Sequence, residues 1–223
     1  MKKFLVLVAV GLIFAGGAVA QHIRSHFQLS ASPVFVISPK MWSSTPPVGS
    51  GLKYGVGYDG KYTSDISGIN NFYLVTTVGG VSLISASQNV SGKTIKSNEN
   101  IFHILEGVEY IGSGNDNIVP HFGLNAGISV FGKFTTDTNN TKSVGYPSTY
   151  QPRIAVSGSA GLILFPADNY GIDLSLEYEI ANAALRSKNN DSKKSIAFDT
   201  SGNYEHYVSF LRLNVGITFR LTP

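Results

Sequence analysis

Residues 170–181, YGIDLSLEYEIA, are two peptides interleaved. Tyr170, Ile172, Leu174, Leu176, Tyr178 and Ile180 form one row; Gly171, Asp173, Ser175, Glu177, Glu179 and Ala181 form the other. Alternation of this kind is the period of a β-strand, whose successive side chains point to opposite faces. A helix would scatter both rows around its circumference and leave no apolar stripe. Each strand of this type therefore has one face for an apolar phase and one for a polar phase. What the chain can be depends on which of the two is inside.

The same pattern recurs along the chain. Leu52, Tyr54, Val56 and Tyr58 alternate with Lys53, Gly55, Gly57 and Asp59. Phe122, Leu124, Ala126, Ile128 and Val130 alternate with His121, Gly123, Asn125, Gly127 and Ser129. Leu211, Leu213, Val215, Ile217 and Phe219 alternate with Arg212, Asn214, Gly216, Thr218 and Arg220. Strands are predicted over 26–37, 50–62, 71–85, 99–112, 117–135, 152–165, 169–182 and 206–221. The connections alternate too: 38–49, 86–98, 136–151 and 183–205 are long, while 63–70, 113–116 and 166–168 are short. An up-and-down barrel with one plain and one elaborated end produces that pattern. Stretches such as TDTNNTK and SKNNDSKK have no apolar row and read as solvated loops. Segment 99–112 has apolar residues in both registers, with Glu106 and Glu109 on opposite faces; either a bulge shifts the register or Glu106 lies near an interface, and the facing stays open.

Two architectures accept these strands. A soluble barrel or sandwich buries the apolar rows, and a transmembrane barrel turns them outward. Charged residues make up only 14% of the chain, against about 25% in ordinary soluble domains. The polar rows use Gly, Ser and Asn, which suit a narrow lumen better than a solvated surface. Strands of about ten residues, rising roughly 3.3 Å each and tilted about 45°, cover roughly 23 Å, near the apolar height of such barrels. The expectation is an all-β, eight-stranded antiparallel up-and-down transmembrane β-barrel. Leu174, Leu176, Leu211, Leu213, Val215 and Ile217 are then lipid-facing, and Tyr54, Tyr58, Tyr170, Tyr178, Tyr207 and Phe219 are interfacial aromatics. Charges on the inward rows need partners. The last two strands are hairpin neighbours, which brings Glu177 opposite Arg212. A lumen ion-pair network is predicted among Asp173, Glu177, Glu179, Arg212 and Arg220, extending to Lys53, Asp59 and Lys133.

The N-terminus fixes the compartment. Lys2 and Lys3, the apolar run Phe4–Phe14 and Ala18-Val19-Ala20 have the form of a cleaved secretory signal peptide over 1–20, leaving 21–223 as one barrel domain. The run is too short to span a bilayer as a helix, and no later window holds 18 consecutive apolar residues. Losing Lys2 and Lys3 takes the net charge from +3 to +1, and no basic stripe suggests nucleic acid. The chain has no cysteine, which excludes disulfides, thiolate metal sites and a lipidated N-terminus.

Candidates for chemistry are weak. His22 and His26 have metal spacing only on a helix, yet they open a strand. Ser209 or Ser129 with His206 or His121 and Glu179 supplies triad residue types, but no spacing selects a triad and no G-x-S-x-G elbow occurs. His121 is expected in the lumen as a packed or hydrogen-bonded residue. YGVGYDG lacks the helix a phosphate loop needs, and VSGSAG reads as strand packing. N-x-S/T matches at Asn89, Asn139 and Asn190 fall in connections and read as accidental in a bacterial envelope protein. No catalytic, cofactor-binding or metal-binding residue is assigned.

The leader, LEGVEYIGSGNDNIVPHFGLNAGISVF at 105–131 and SFLRLNVGITFRL at 209–221 together resemble the outer-membrane β-barrel domain family of OmpA/OmpW-type eight-stranded, porin-like proteins. The resemblance runs over the whole mature chain, but its motifs specify architecture only. It implies a Gram-negative bacterial outer membrane, short turns toward the periplasm and long loops outside. It also implies outer-membrane lipid and the barrel assembly machinery as partners, with an unknown extracellular ligand. One departure is that Phe219 is followed by four further residues, where the family's last strand usually ends in Phe. The function expected is non-enzymatic: envelope integrity or surface interaction through the loops. The alternatives are a narrow pore for small or hydrophobic solutes, or a soluble periplasmic lipid-binding barrel.

Overall fold

The computed structural model describes residues 25–38, 51–66, 69, 71–112, 118–132, 135–139, 141–144, 150–167, 169–186 and 206–221. The leader at 1–20, Lys133 and most of connections 38–49 and 183–205 lie outside these.

Eight long strands make the wall: β1 (Ser25–Ser38), β2 (Tyr54–Asp65), β3 (Phe72–Ile84), β5 (Lys93–Ile111), β6 (Ile118–Phe131), β9 (Gln151–Ala167), β10 (Tyr170–Ala184) and β11 (Ser209–Leu221). Each pairs antiparallel with the next, and β1 pairs with β11, so the sheet closes and no edge strand remains among the eight. Among the described residues no helix is long and apolar enough to cross a membrane, a statement that does not bear on crossing by strands.

Two predicted loops contain strand. The 86–98 connection holds β4 (Gln88–Val90) and the first residues of β5, joined by Ser91 and Gly92 at φ 52° and 79°. Two successive left-handed residues make the type I′ turn that matches strand twist. The 136–151 connection holds β7 (Thr135–Thr138) and β8 (Thr141–Val144), with Asn139 at φ 50°. Because β7 pairs with the start of β5, these pieces extend the sheet beyond the ring at the end where the long connections lie. Their polar composition on both faces hides them from a pattern that looks for one apolar row.

Segment 99–112 has no bulge; its register with β3 and β6 runs unbroken. Odd-numbered residues point inward there, so Glu109 is buried and Glu106 is exposed on the outer wall. The mixed pattern arises because Ile101, Leu105 and Ile111 also face inward.

The interior is layered. At the end bearing the long connections, Val34, Leu52, Leu83, Ile101, Phe131 and Phe210 belong to a dry apolar cluster inside the ring. Leu52 therefore breaks the outward row expected of it: Gly51, at φ 71°, turns the chain so that Leu52 enters the cluster before β2 begins at Tyr54. Below this cluster charged and polar residues share the lumen with buried Val75, Leu105, Ile111, Ile163 and Phe165.

Candidate functional site: the charged lumen

Inward-facing polar residues of six strands meet in two linked groups. In the upper group, the Arg212 guanidinium contacts Asp59 closely and stands 3.5 Å from Glu179 and 3.7 Å from Glu177. Its Nε donates to Ser32 Oγ at 3.3 Å, and Asn214 Nδ2 donates to Glu177 at 3.0 Å. His103 Nε2 is 2.8 Å from Asp59, and its Nδ1 is 3.3 Å from Glu179. In the lower group, Lys61 Nζ is 2.9 Å from Glu109 Oε1. His121 lies between Glu109 at 2.7 Å and Asp173 at 2.8 Å, and Ser175 Oγ donates to Asp173 at 2.7 Å.

Register explains why these residues meet. Glu177 stands directly opposite Arg212 in the β10–β11 ladder, and Glu179 and Asp173 lie two and four residues away on the same face. Asp59 and Lys61 share the inward face of β2, and His103 and Glu109 that of β5. Glycine makes room. A Cβ on Gly57 would stand 2.8 Å from the Arg212 guanidinium, and one on Gly161 would stand 2.6 Å from His121 Nε2. Gly161→Ala is therefore expected to destabilise the barrel by about 1–3 kcal/mol through overpacking. Gly60→Ala, whose nearest atom is 3.8 Å away, should change stability by no more than about 0.5 kcal/mol. Urea titration of the folded gel band measures both.

Five carboxylates, those of Asp59, Glu109, Asp173, Glu177 and Glu179, face two fixed cations, Lys61 and Arg212. The two histidines reduce the imbalance to one negative charge when both are protonated. Each ring has a carboxylate oxygen at both nitrogens, and two lone pairs facing one another repel. Each carboxylate–imidazole–carboxylate bridge therefore needs two protons, whichever atoms carry them. All the charges in these two groups are buried except that of Lys61, which is half-buried. Each holds its place through its partners.

Arg220 lies eight residues along β11 from Arg212. Its guanidinium stacks 3.6 Å over the Phe165 ring at the short-turn end, below the acids. Lys53 is exposed, because it precedes β2 just after the turn at Gly51 and its side chain points outside. Lys133 lies outside the described residues. The members that sequence reading did not assign to the network are His103, Lys61, Glu109 and His121. Lys61 continues the row Lys53-Gly55-Gly57-Asp59 and was in principle visible there. His103 and Glu109 needed the facing of β5. Two of the triad candidates are otherwise engaged: Ser129 Oγ donates to the Ala181 carbonyl, and His121 is held between its two acids. No group of three or more potential ligands among the described residues is arranged to hold a metal.

Outside the ring the polarity reverses. Leu174, Leu176, Leu213, Val215 and Ile217 are 45–51% exposed, and Leu211 is half-buried. Tyr170 and Phe219 pair across β10 and β11 at the short-turn end; Tyr54 and Tyr207 lie at the other end. Tyr58 and Tyr178, also exposed, sit within their rows and not at the ends. With polar residues inside and a greasy outer wall, the fold is decided. The chain has the architecture of an eight-stranded outer-membrane barrel.

No protein-family model matches the chain, and no curated protein matches it by sequence. Solved structures of similar fold include Neisserial surface protein A, with 14% identity and a TM-score of 0.49 over 88% of this chain and 97% of that one. OprG of Pseudomonas aeruginosa has 10% identity and a TM-score of 0.46, over 90% and 95%. Ail, the attachment invasion locus protein of Yersinia pestis, has 15% identity and a TM-score of 0.43, over 90% and 100%. Identities this low concern the fold alone, and the assignment of this barrel rests on its own closure and facing.

Proposed function

We propose that the chain is a non-enzymatic integral protein of the bacterial outer membrane, with a structural or surface-contact role carried by its long connections. Its outward apolar rows would face lipid, and its lumen would be a packed interior with no passage through it. The observation that carries the second half of this reading is the dry layer of Val34, Leu52, Leu83, Ile101, Phe131 and Phe210 lying across the ring above the charged groups. Eight strands leave room for side chains and little else. A solute path would have to displace both the apolar layer and the paired charges beneath it. A soluble lipid-binding barrel needs the opposite distribution, an apolar lumen under a charged coat.

Planar-bilayer recording tests this reading. The unaltered chain is expected to give no steady single-channel current. Phe131→Ala combined with Phe210→Ala, which thins the apolar layer, is expected to raise conductance above the baseline. A steady conductance in the unaltered chain that Glu177→Ala or Arg212→Ala abolishes would favour a narrow passage instead. Carbonate extraction of membranes separates both from a soluble barrel, which would be released.

A further inference from the structure

Glu106 is the one acid on the described outer wall that lies in the middle of an apolar row. On β5 it stands between Ile104 and Val108, themselves followed by Phe102 and Tyr110, all four exposed. Across the sheet its neighbours are Thr76 on β3 and Ala126 on β6. Leu74 and Val78 flank Thr76, and Leu124, 70% exposed, flanks Ala126. Thr76 Oγ1 donates to Glu106 Oε2 at 2.9 Å, which uses one of the carboxyl's hydrogen-bonding sites. The remaining sites face outward. If the outer wall meets hydrocarbon, as the proposed function holds, lipid tails offer them neither donor nor acceptor. An ionisable group in that position marks an interaction site by default.

The wall around Glu106 supplies no cation. The outward rows beside it, Phe72-Leu74-Thr76-Val78 on β3 and Phe122-Leu124-Ala126-Ile128 on β6, are uncharged. A carboxyl that carries its proton is both donor and acceptor. Two such groups facing one another close a ring of two O–H···O bonds and leave no polar atom to the lipid. Copies of one barrel inserted in the same direction are related by a two-fold axis along the membrane normal. On that axis a residue meets its own counterpart at its own depth. We propose that the β3–β5–β6 face is a self-association surface, with a second copy of this chain as its occupant and the two Glu106 carboxyls paired at its centre. The proposal rests on the membrane reading given above.

Because the chain has no cysteine, crosslinking reads the surface directly. Val108→Cys lies beside Glu106. Val215→Cys, on β11, lies on the opposite wall. Both are reconstituted in phosphatidylcholine vesicles and oxidised with copper phenanthroline. Disulfide dimers are expected from Val108→Cys and not from Val215→Cys. Adding Glu106→Leu to Val108→Cys is expected to lower the dimer yield at least tenfold. Adding Glu106→Gln, whose amide is also self-complementary, should keep most of it. Equal yields from both walls, an undiminished yield with Glu106→Leu, or no dimer from Val108→Cys would each overturn the proposal. The electrophoretic shift of folded, unboiled protein is measured on the same samples. If that shift is present without dimers, only the self-association idea fails; if it is absent from the unaltered barrel, the membrane reading fails first.

Discussion

Arg212→Leu is expected to cost about 3–5 kcal/mol of barrel stability, the range for removing one partner of a buried charge network. Arg212 is fully buried, and three carboxylates, from Asp59, Glu177 and Glu179, lie around its guanidinium. Without it Asp59 and Glu179 keep only His103 between them, and Glu177 keeps the Asn214 amide. The cost comes from stranding the acids more than from losing an attraction. Arg212→Leu combined with Asp59→Asn and Glu179→Gln should therefore recover a large part of the loss, since removing the charges together strands fewer of them. Urea unfolding in phospholipid vesicles, followed by the folded electrophoretic band, measures both. If the triple variant proved no more stable than Arg212→Leu alone, the charge-balance account of the lumen would be wrong.

Leu213→Arg should cost about 2–4 kcal/mol, as expected for a cation on the lipid face near mid-depth of a barrel. Its neighbour in sequence offers the contrast. Asn214 points inward, and its amide is 3.0 Å from Glu177, within a group holding more acids than cations. Asn214→Lys places positive charge where negative charge is in excess, and should cost less than Leu213→Arg despite its greater bulk. The same unfolding assay ranks the two. Equal cost at 213 and 214 would remove the distinction between the outer and inner walls.

How much of this was legible beforehand depended on how purely each row was composed. The rows of β10 and β11 are unmixed, so their facing follows once the scarcity of charge is weighed, and hairpin adjacency puts Glu177 beside Arg212. Segment 99–112 resisted because its inward row passes from one layer of the interior to the next: Ile101 enters the apolar cluster, while His103 and Glu109 enter the charged groups with Leu105 buried between them. Period-two reading assumes one solvent per face, and here the inner face has two. Leu52 misleads for the same reason. Arg220 looked like a member of the network because it shares a face with Arg212, but eight residues of strand carry it to the short-turn end and the Phe165 ring. The β7–β8 hairpin was invisible because neither face is apolar; the Ser91-Gly92 turn between QNV and KTI was a local signal that composition alone did not reveal.

The central claim is that the apolar rows meet lipid and the polar rows fill a closed interior. Spin-label accessibility along β10 tests it most directly. Single cysteines replace residues 172 to 179 in turn in the cysteine-free chain, and each labelled barrel is reconstituted in vesicles. Accessibility to oxygen, which concentrates in hydrocarbon, is predicted to peak at 172, 174, 176 and 178 and to fall at 173, 175, 177 and 179, with a water-soluble nickel chelate excluded from the peak positions. Chelate access at 172, 174, 176 and 178, or oxygen maxima at 173 and 177, would contradict the account.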